Sequence, residues 1–229
     1  MQITEIITGS TETHLEGLDR SLLKGSEFLV HKQVVEPLRE LRTAALQAGF
    51  ELTLCSAFRS FERQLQIWNG KVSGKRPVMD GNGEPINIEA LSPWSLIQAI
   101  LRWSALPGAS RHHWGTDFDI YDMRTMPEGY KLQLTPDEVK DSGIFAPLHD
   151  WLDGYISSGQ TRFYRPYAID KGGVAPERWH ISYRPIADQY VGQLDKELLE
   201  NRLRRSDILL LDVILEHLDE IMQRYILVD

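Results

Sequence analysis

The chain has 229 residues, an apolar fraction of 42% and a charged fraction of 25%, which are typical of one globular domain with room for an appendage. Its formal net charge of -8 argues against a general nucleic-acid-binding protein, which would carry a basic surface. The single cysteine, Cys55, excludes an internal disulfide framework and a cysteine-rich zinc site, so any zinc must be held by histidine and carboxylate ligands.

The N-terminal segment lacks the features of a signal peptide, because residues 1–14 contain neither a basic region nor a long apolar region. No later stretch has the length and apolarity of a membrane span. We therefore expect a cytoplasmic protein with no membrane span and no nucleic-acid partner. Residues 1–30 are only weakly periodic, and we expect them to form short elements that cover the main body of the domain.

Apolar residues recur at helical spacing between residues 34 and 48, and this pattern predicts the first long helix. Pro37 must lie near its first turn, because a proline in the interior would break the backbone hydrogen bonds. Gly49 is a natural C-terminal stop for this helix.

A strand and a second helix are predicted next, over residues 51–58 and from Ser60 to about residue 70. Ser60 is a good N-cap, because its hydroxyl can accept a hydrogen bond from the first turn of the helix. Arg59 and Gln64 therefore stand at a strand-to-helix junction, a place that can aim a side chain rigidly.

Residues 70–90 are rich in glycine, proline and lysine and predict a hairpin or a flexible loop. The other elements predicted before residue 170 are helices from Ser92 to about residue 103, from Thr135 and over residues 145–156, and a short strand over residues 163–167.

From residue 185 onward the sequence is charged and rich in leucine, which predicts two helices that are broken near Ser206. We therefore divide the chain into residues 1–185, the main domain with its N-terminal helical cover, and residues 186–229, a C-terminal helical extension. The apolar stripe of the extension packs back on the domain in the default interpretation. In the alternative interpretation it forms the interface of a homodimer.

Two short motifs in the second half of the chain contain histidine and carboxylate side chains. Residues 110–119 read S-R-H-H-W-G-T-D-F-D, and residues 177–180 read E-R-W-H. Together they supply two imidazoles, one carboxylate and a further glutamate: His112, His180, Asp119 and Glu177. A catalytic zinc site needs three protein ligands, an open position for water and a nearby base, and these residue types meet that need.

The residues around these motifs alternate between apolar and polar, as in half-buried strands. Over residues 116–121 the alternation directs Asp119 to the polar face, and over residues 179–183 it does the same for His180. Two strands could therefore each present one ligand on a common face, while His112 would come from the loop that leads into the first strand.

The motifs resemble those of the zinc D-alanyl-D-alanine carboxypeptidases, the VanY-like peptidases. That family carries S-x-H-x-x-G-x-x-x-D and E-x-W-H, and both are complete here in residues 110–119 and 177–180. A third element of the family, R-S-x-x-x-Q after a strand, matches residues 59–64. The motifs stand in the order of the family, and the resemblance covers roughly residues 35–185.

The resemblance implies an α+β fold in which a small antiparallel sheet carries a zinc site and is flanked by helices. The C-terminal helical pair lies outside the match. The resemblance also implies one Zn2+ ion, bound by His112, Asp119 and His180.

Further roles are implied by the same resemblance. Glu177 would be the catalytic base, and Arg59 and Gln64 would hold the peptide groups and the C-terminal carboxylate of the substrate. Arg59 would also suit an oxyanion, because a guanidinium offers a planar fork of donors. Ser110 either contacts the substrate or orients its loop. Asp117 stands where many relatives have a small apolar residue, and it either accepts the second ring N–H of a ligand histidine or binds a substrate amine.

The predicted function is a zinc-dependent carboxypeptidase that hydrolyses peptidoglycan-type peptides ending in a D-amino acid, with D,D and L,D specificity both open. Zinc would activate water, and Glu177 would take its proton. One alternative is a cell-wall endopeptidase of the endolysin type, which would carry a separate wall-binding module that we do not see. Another is a catalytically inactive zinc-containing binding protein, which the presence of both Glu177 and Arg59 disfavours.

Overall fold

In the computed structural model, which describes residues 3–18, 28–81 and 83–227, helices flank a small antiparallel sheet, as predicted. The strands are β1 (Leu15–Gly17), β2 (Leu29–His31), β3 (Leu52–Ser56), β4 (Asp117–Asp122), β5 (Phe163–Tyr164) and β6 (His180–Tyr183). The α-helices are α1 (Ile3–Ile7), α2 (Val35–Gln47), α3 (Phe61–Val72), α4 (Pro93–Leu101), α5 (Pro136–Val139), α6 (Ala146–Ser157), α7 (Arg184–Val191), α8 (Lys196–Leu203), α9 (Leu211–Glu216) and α10 (Leu218–Ile221).

The main sheet has the strand order β3-β4-β6-β5, and neighbouring strands are antiparallel throughout. The register of the two central strands places Asp119 of β4 directly opposite His180 of β6. On the other side of β4, a bulge between Leu54 and Ser56 shifts the register, so that Ser56 pairs with Asp119. The sheet therefore joins the two motifs that are far apart in the sequence.

Strand β4 separates the apolar core from the polar site, because its side chains alternate between the two faces of the sheet. Phe118 and Ile120 belong to the main apolar core. Asp117 and Asp119 point to the other face, and every residue of the strand is buried. The alternation predicted for this strand is confirmed.

The helices and the loop predicted in the first half of the chain are confirmed with small changes in their bounds. Pro37 occupies the first turn of α2, and Gly49 follows the end of that helix with a φ of 98°. Ser60 caps α3 by accepting a hydrogen bond from the backbone of the first turn. The hairpin-like loop after α3 contains an antiparallel bridge between Met79 and Pro85.

The N-terminal cover predicted for residues 1–30 consists of α1 and the two-stranded sheet of β1 and β2, while residues 1–2 and 19–27 lie outside the described residues. Ile7 of α1 is fully buried. Its carbonyl accepts a hydrogen bond of 3.2 Å from Nε1 of Trp114. The N-terminal cover is therefore hydrogen-bonded directly to the segment that contains the first motif.

The C-terminal region is helical, but it is divided more finely than the predicted pair. The predicted break near Ser206 separates α8 from α9, and two additional breaks lie between α7 and α8 and between α9 and α10. The break before α8 arises because Gly192 follows α7 and Asp195 starts α8 as an N-cap, accepting a hydrogen bond from the backbone N–H of Leu198. None of the helices in the described part of the chain has both the length and the apolarity of a membrane span.

The C-terminal helices share one core with the rest of the domain. Ile221 is fully buried in that core. Nε1 of Trp68 in α3 donates to the carbonyl of Leu209 at 3.2 Å, and the ring of Trp94 in α4 stacks on His217 with 3.9 Å between centroids. These contacts favour packing on the domain. The homodimer interface and the division of the chain at residue 185 stay predictions, and residues 228–229 lie outside the described residues.

Candidate metal centre

The three predicted metal ligands converge beside the central strands of the sheet. His112, Asp119 and His180 each offer one ligand atom, and these atoms all lie within 4.8 Å of one another. His112 stands in the 3-10 helix Arg111–Trp114, while Asp119 and His180 face each other across β4 and β6. All three side chains are buried.

In His112 and in His180, one ring nitrogen donates a hydrogen bond to an oxygen of the protein. The other ring nitrogen is therefore the one that faces the centre. Nδ1 of His112 donates to the carbonyl of Ala57 at 2.8 Å, which leaves Nε2 at 3.4 Å from Oδ2 of Asp119. His180 is used in the opposite sense, because Nε2 donates to Oδ1 of Asp117 at 3.0 Å and Nδ1 lies 3.2 Å from Oδ1 of Asp119. Ligand histidines commonly donate their second N–H in this way, to a carbonyl or a carboxylate.

Asp117 is the carboxylate that orients His180. Its Oδ1 also accepts from Nε of Arg111 at 2.8 Å, and its Oδ2 accepts from the hydroxyls of Thr116 and Ser182 at 2.6 and 3.0 Å. Burial alone would raise the pKa of Asp117, but Arg111 and His180 hold it well below its usual range. Because Asp117 is fully buried, this arrangement supports the interpretation as a partner of a ligand histidine rather than as a contact for a substrate amine.

Arg111 belongs to the centre although the sequence analysis did not single it out. Its Nη2 donates to the hydroxyls of Tyr164 and Ser182 at 2.6 and 3.0 Å, and its guanidinium lies 4.9 Å from the ring centroid of Trp114. The sequence carries a signal for it, because Arg111 is the arginine of the first motif, and the carboxylate of Asp117, once buried, needs a cation as its partner.

Gly115 stands between the first histidine and the aspartate of the motif for a steric reason. Its φ of +67° lies in the left-handed region. A Cβ at this position would meet Cδ2 of Leu15 at 2.5 Å and the backbone nitrogen of His31 at 2.8 Å. The motif therefore needs glycine here to let the ligand loop turn against the N-terminal sheet.

The charges of the centre favour a bound cation. Despite burial, His112 and His180 hold the pKa of Asp119 well below its usual range. Burial lowers the pKa of His180, but hydrogen bonds to Asp117 and Asp119 outweigh it and raise that pKa to about 9. The carboxylates thus attract positive charge to the position between the rings. Two imidazole nitrogens and one carboxylate are a ligand set found in catalytic zinc sites.

Glu177 lies next to this ligand set. Its Oε2 is 3.6 Å from Nδ1 of His180, and it lines the same cavity as the three ligands. Burial raises the pKa of Glu177 to about 7, against the opposing effect of His180. A carboxyl group with a pKa near neutral pH is well suited to accept a proton and return it.

Arg59 and Gln64 are hydrogen-bonded to each other. Arg59 lines the cavity, and Gln64 is not among the described residues that line it. Nη1 of Arg59 donates to Oε1 of Gln64 at 2.9 Å, and Nη2 donates to the hydroxyl of Ser56 at 3.1 Å. Gln64 is fully buried, and its Nε2 donates to the carbonyl of Ala105 at 2.7 Å. Gln64 therefore orients Arg59, and its direct contact with a substrate stays a prediction.

Ser110 lines the cavity and stands at the N-cap of the short helix that carries His112, but its side chain makes no capping hydrogen bond. Its contact with a substrate stays a prediction. The neighbouring His113 uses both ring nitrogens within the protein, because Nδ1 donates to the carbonyl of Arg59 at 2.6 Å and Nε2 accepts from the backbone of Gly108 at 3.0 Å. His113 is therefore a structural residue.

The centre opens into a cavity of about 420 Å³, a size that suits a short peptide. Four aromatic side chains form part of its wall: Trp103, Tyr167, Trp179 and Tyr225. The rings of Trp103 and Trp179 stack with 6.2 Å between centroids, and the ring of Tyr167 meets that of His180 edge-on at 5.0 Å. Tyr225 lines the cavity from the C-terminal region, so that region contributes to the site.

Comparison with known proteins decides the family of the chain. The sequence model described as "VanY: D-alanyl-D-alanine carboxypeptidase" matches residues 27–186. The chain belongs to the VanY family. It is accordingly a zinc metallopeptidase of the carboxypeptidase type, and the prediction of the family, of the enzyme class and of zinc as the metal is confirmed.

The sequence relatives of this VanY-family chain include a protein of Haemophilus influenzae described as uncharacterized, which is 40% identical over 107 residues, or 46% of this chain and 72% of the relative. Among solved structures, a mutant of the vancomycin resistance D,D-pentapeptidase VanY in complex with Zn(II) is 23% identical, with a TM-score of 0.50 over 82% of this chain and 92% of the other. The LdcB LD-carboxypeptidase is 21% identical, with a TM-score of 0.52 over 82% and 78%. These two likenesses show the fold.

Proposed function

We propose that the protein removes a C-terminal D-amino acid from peptidoglycan-type peptides. The observation that carries this proposal is the convergence of the three ligand residues, Glu177 and Arg59 on one cavity. Membership of the VanY family supports it. Similarity in fold to a VanY described as a D,D-pentapeptidase and to LdcB, described as an LD-carboxypeptidase, supports a D-amino acid at the C-terminus and leaves the configuration of the preceding residue to the experiment.

The metal chemistry is assigned to the buried ligand set. Nε2 of His112, a carboxylate oxygen of Asp119 and Nδ1 of His180 would hold the ion. Zinc bound there supplies a Lewis acid that activates water and polarises the scissile carbonyl. Asp117 keeps the ring of His180 in the required orientation.

Glu177 moves the proton in this mechanism. It accepts a proton from the attacking water and returns it to the nitrogen of the leaving amino acid, so that one residue serves as base and then as acid. Its position 3.6 Å from Nδ1 of His180 supports this role, because the proton is released beside the ligand set. Its raised pKa, about 7, matches proton transfer at neutral pH.

Arg59 binds the negative charge of the substrate or of the tetrahedral intermediate. A guanidinium has five N–H donors, and Gln64 and Ser56 each engage one of them. Those two hydrogen bonds fix the plane of the guanidinium, while the remaining donors can serve the cavity. A fixed donor fork loses little conformational entropy when it binds a carboxylate or an oxyanion.

Mass spectrometry of a peptide panel tests the proposal. The panel holds the dipeptide D-Ala-D-Ala, a pentapeptide that ends in D-Ala-D-Ala, a tetrapeptide with a single C-terminal D-Ala after an L-centre, and the L-Ala counterparts of each. Zinc-loaded protein should release one D-Ala from the pentapeptide or the tetrapeptide, and metal-free protein should release none. Intact muropeptides are assayed beside the panel, and cleavage within them without release of D-Ala from any panel peptide would contradict the proposal and favour an endopeptidase.

A further inference from the structure

Three cationic side chains line the cavity in addition to Arg59, and one of them, Arg111, is already paired with Asp117. The other two are Lys71 and Arg76. Lys71 stands in the last turn of α3, and Arg76 stands in the loop that follows. Within the described part of the chain, neither side chain makes a hydrogen bond or an ion pair. The positive charge is a local feature, because the chain as a whole has a net charge of -8.

The acidic residues of the cavity do not neutralise this charge. The lining contains two carboxylates, Asp119 and Glu177, and both stand with the histidine ligands. Lys71 is partly buried, and burial together with Arg76 lowers its pKa to about 8, although Glu177 attracts its charge from a distance. A partly desolvated ammonium without a direct counter-ion is stabilised by a bound anion.

Because Lys71 lines the cavity that would hold the substrate, the anion it binds would be a group of the substrate. Ile67 and Lys71 are four residues apart and share the face of α3 that borders the cavity. Side chains of a helix lean toward its N-terminus, which is the end of α3 that follows Arg59. Lys71 lines the same cavity as Arg59 and Glu177. A peptide that binds extended across this cavity, with its scissile bond at Glu177, directs the side chains next to that bond along the cavity wall that contains Lys71.

We propose that Lys71, with Arg76 beside it, binds a second carboxylate of the substrate, in addition to the C-terminal carboxylate. The preferred substrates are then peptides with an acidic side chain adjacent to the scissile bond or one residue further away. The inference rests on the proposed function and adds a substrate class and a specificity-determining residue to it.

Paired peptides that differ in one charge test this inference. Each pair consists of N-acetylated tetrapeptides that end in D-Ala and carry either Glu or Gln at one position, which is the residue before the terminal D-Ala in one pair and the residue before that in the other. The value of kcat/KM is measured with zinc-loaded wild-type protein and with Lys71→Met, Lys71→Arg and Lys75→Met. Lys75 is exposed and is not among the residues that line the cavity, so it is the matched control.

The wild-type protein should prefer the Glu peptide of at least one pair by tenfold or more, since a hydrogen bond to a charged group contributes about 1.5–3 kcal/mol. Lys71→Met should reduce this ratio to near 1, mainly through the KM of the Glu peptide. Lys71→Arg should keep most of the preference, and Lys75→Met should keep all of it.

Equal kcat/KM for Glu and Gln in both pairs would overturn the inference and leave the proposed function intact. A Lys71→Met protein that keeps the wild-type ratio would overturn it as well. If the zinc-loaded wild-type protein hydrolysed none of the four peptides, the proposed function would fail, and the inference would fail with it. Hydrolysis of the Gln peptides by Lys71→Met also verifies that this variant is folded.

Discussion

His180 donates from Nε2 to Oδ1 of Asp117 at 3.0 Å, across the two central strands of the sheet. The register that pairs Asp117 with Ser182 also pairs Asp119 with His180, so two aspartates of one strand hold the same imidazole from two sides. Asp117 orients the ring of His180, and Asp119 lies beside Nδ1, the ring nitrogen that faces the metal centre. The hydrogen bond to Asp117 thus determines which nitrogen of His180 is offered to the metal.

Replacing the orienting carboxylate should weaken metal binding. In Asp117→Asn the amide cannot hold the positive charge of Arg111 or accept as strongly from His180, and we expect zinc affinity to fall about 10- to 100-fold. Competition with a fluorescent chelator measures the affinity. Asp137→Asn is the matched control, because Asp137 lies exposed on α5. Equal affinity in Asp117→Asn and wild type would show that this hydrogen bond does not support the ligand.

Zinc should stabilise the folded protein through the ligand histidines. Ligand binding to the native state raises stability in proportion to the logarithm of the ligand concentration above Kd. We expect the Tm of metal-free protein to rise with added zinc, and His112→Gln to lose this dependence. His217→Gln is the matched control, since His217 stacks on Trp94 away from the centre. An equal zinc-dependent rise in His112→Gln and His217→Gln would contradict the assigned ligand.

The sequence predicts the ligand strands well, because an alternation with period two directs Asp119 and His180 to one face whichever strands are neighbours. It does not reveal the partners that come from elsewhere in the chain. Lys71 matters because α3 borders the same cavity, and Arg111 is held by Tyr164 and Ser182 from two other strands. These contacts are tertiary and no local pattern encodes them, although Arg111 itself stands in the same motif as Asp117. The break between α7 and α8 is not predicted, because Gly192 lies within an otherwise helical run.

The C-terminal helices should contribute to the stability of the domain. Ile221 is fully buried in the common core, and Ile221→Ala should lower the free energy of unfolding by about 2–5 kcal/mol. Leu209→Ala is the control, because Leu209 is 42% exposed and should change stability by at most about 0.5 kcal/mol. Urea unfolding measures both. If both variants changed the free energy of unfolding by the same small amount, and light scattering gave Ile221→Ala a lower molar mass than the wild type, the homodimer interface would be favoured instead.

Stability should fall in mild acid through His149. Burial and the neighbouring Arg165 lower the pKa of His149 to about 2, far below the value of about 6.5 in an unfolded chain. Its contribution to stability is complete above pH 6.5 and is lost as the pH falls toward 2, because the unfolded chain binds the proton first. The maximum slope is about 1.4 kcal/mol per pH unit.

Urea unfolding at pH 7 and pH 5 isolates this contribution. The loss of unfolding free energy between the two pH values should be about 2 kcal/mol smaller in His149→Gln than in the wild type. Arg165 can still donate to the glutamine, so the variant keeps its hydrogen-bond partner. The same loss in both proteins would mean that His149 is not the neutral buried group described above.

The most direct test of the account measures hydrolysis and zinc content together in wild type and Glu177→Gln. The substrate is the pentapeptide ending in D-Ala-D-Ala or the tetrapeptide ending in D-Ala, whichever the wild type cleaves. We predict that both proteins bind one zinc per chain and that Glu177→Gln releases D-Ala at least about 100-fold more slowly, the scale of general acid–base catalysis. Full activity in Glu177→Gln with zinc bound, or a zinc-loaded wild type that releases no D-Ala from either peptide, would contradict the account.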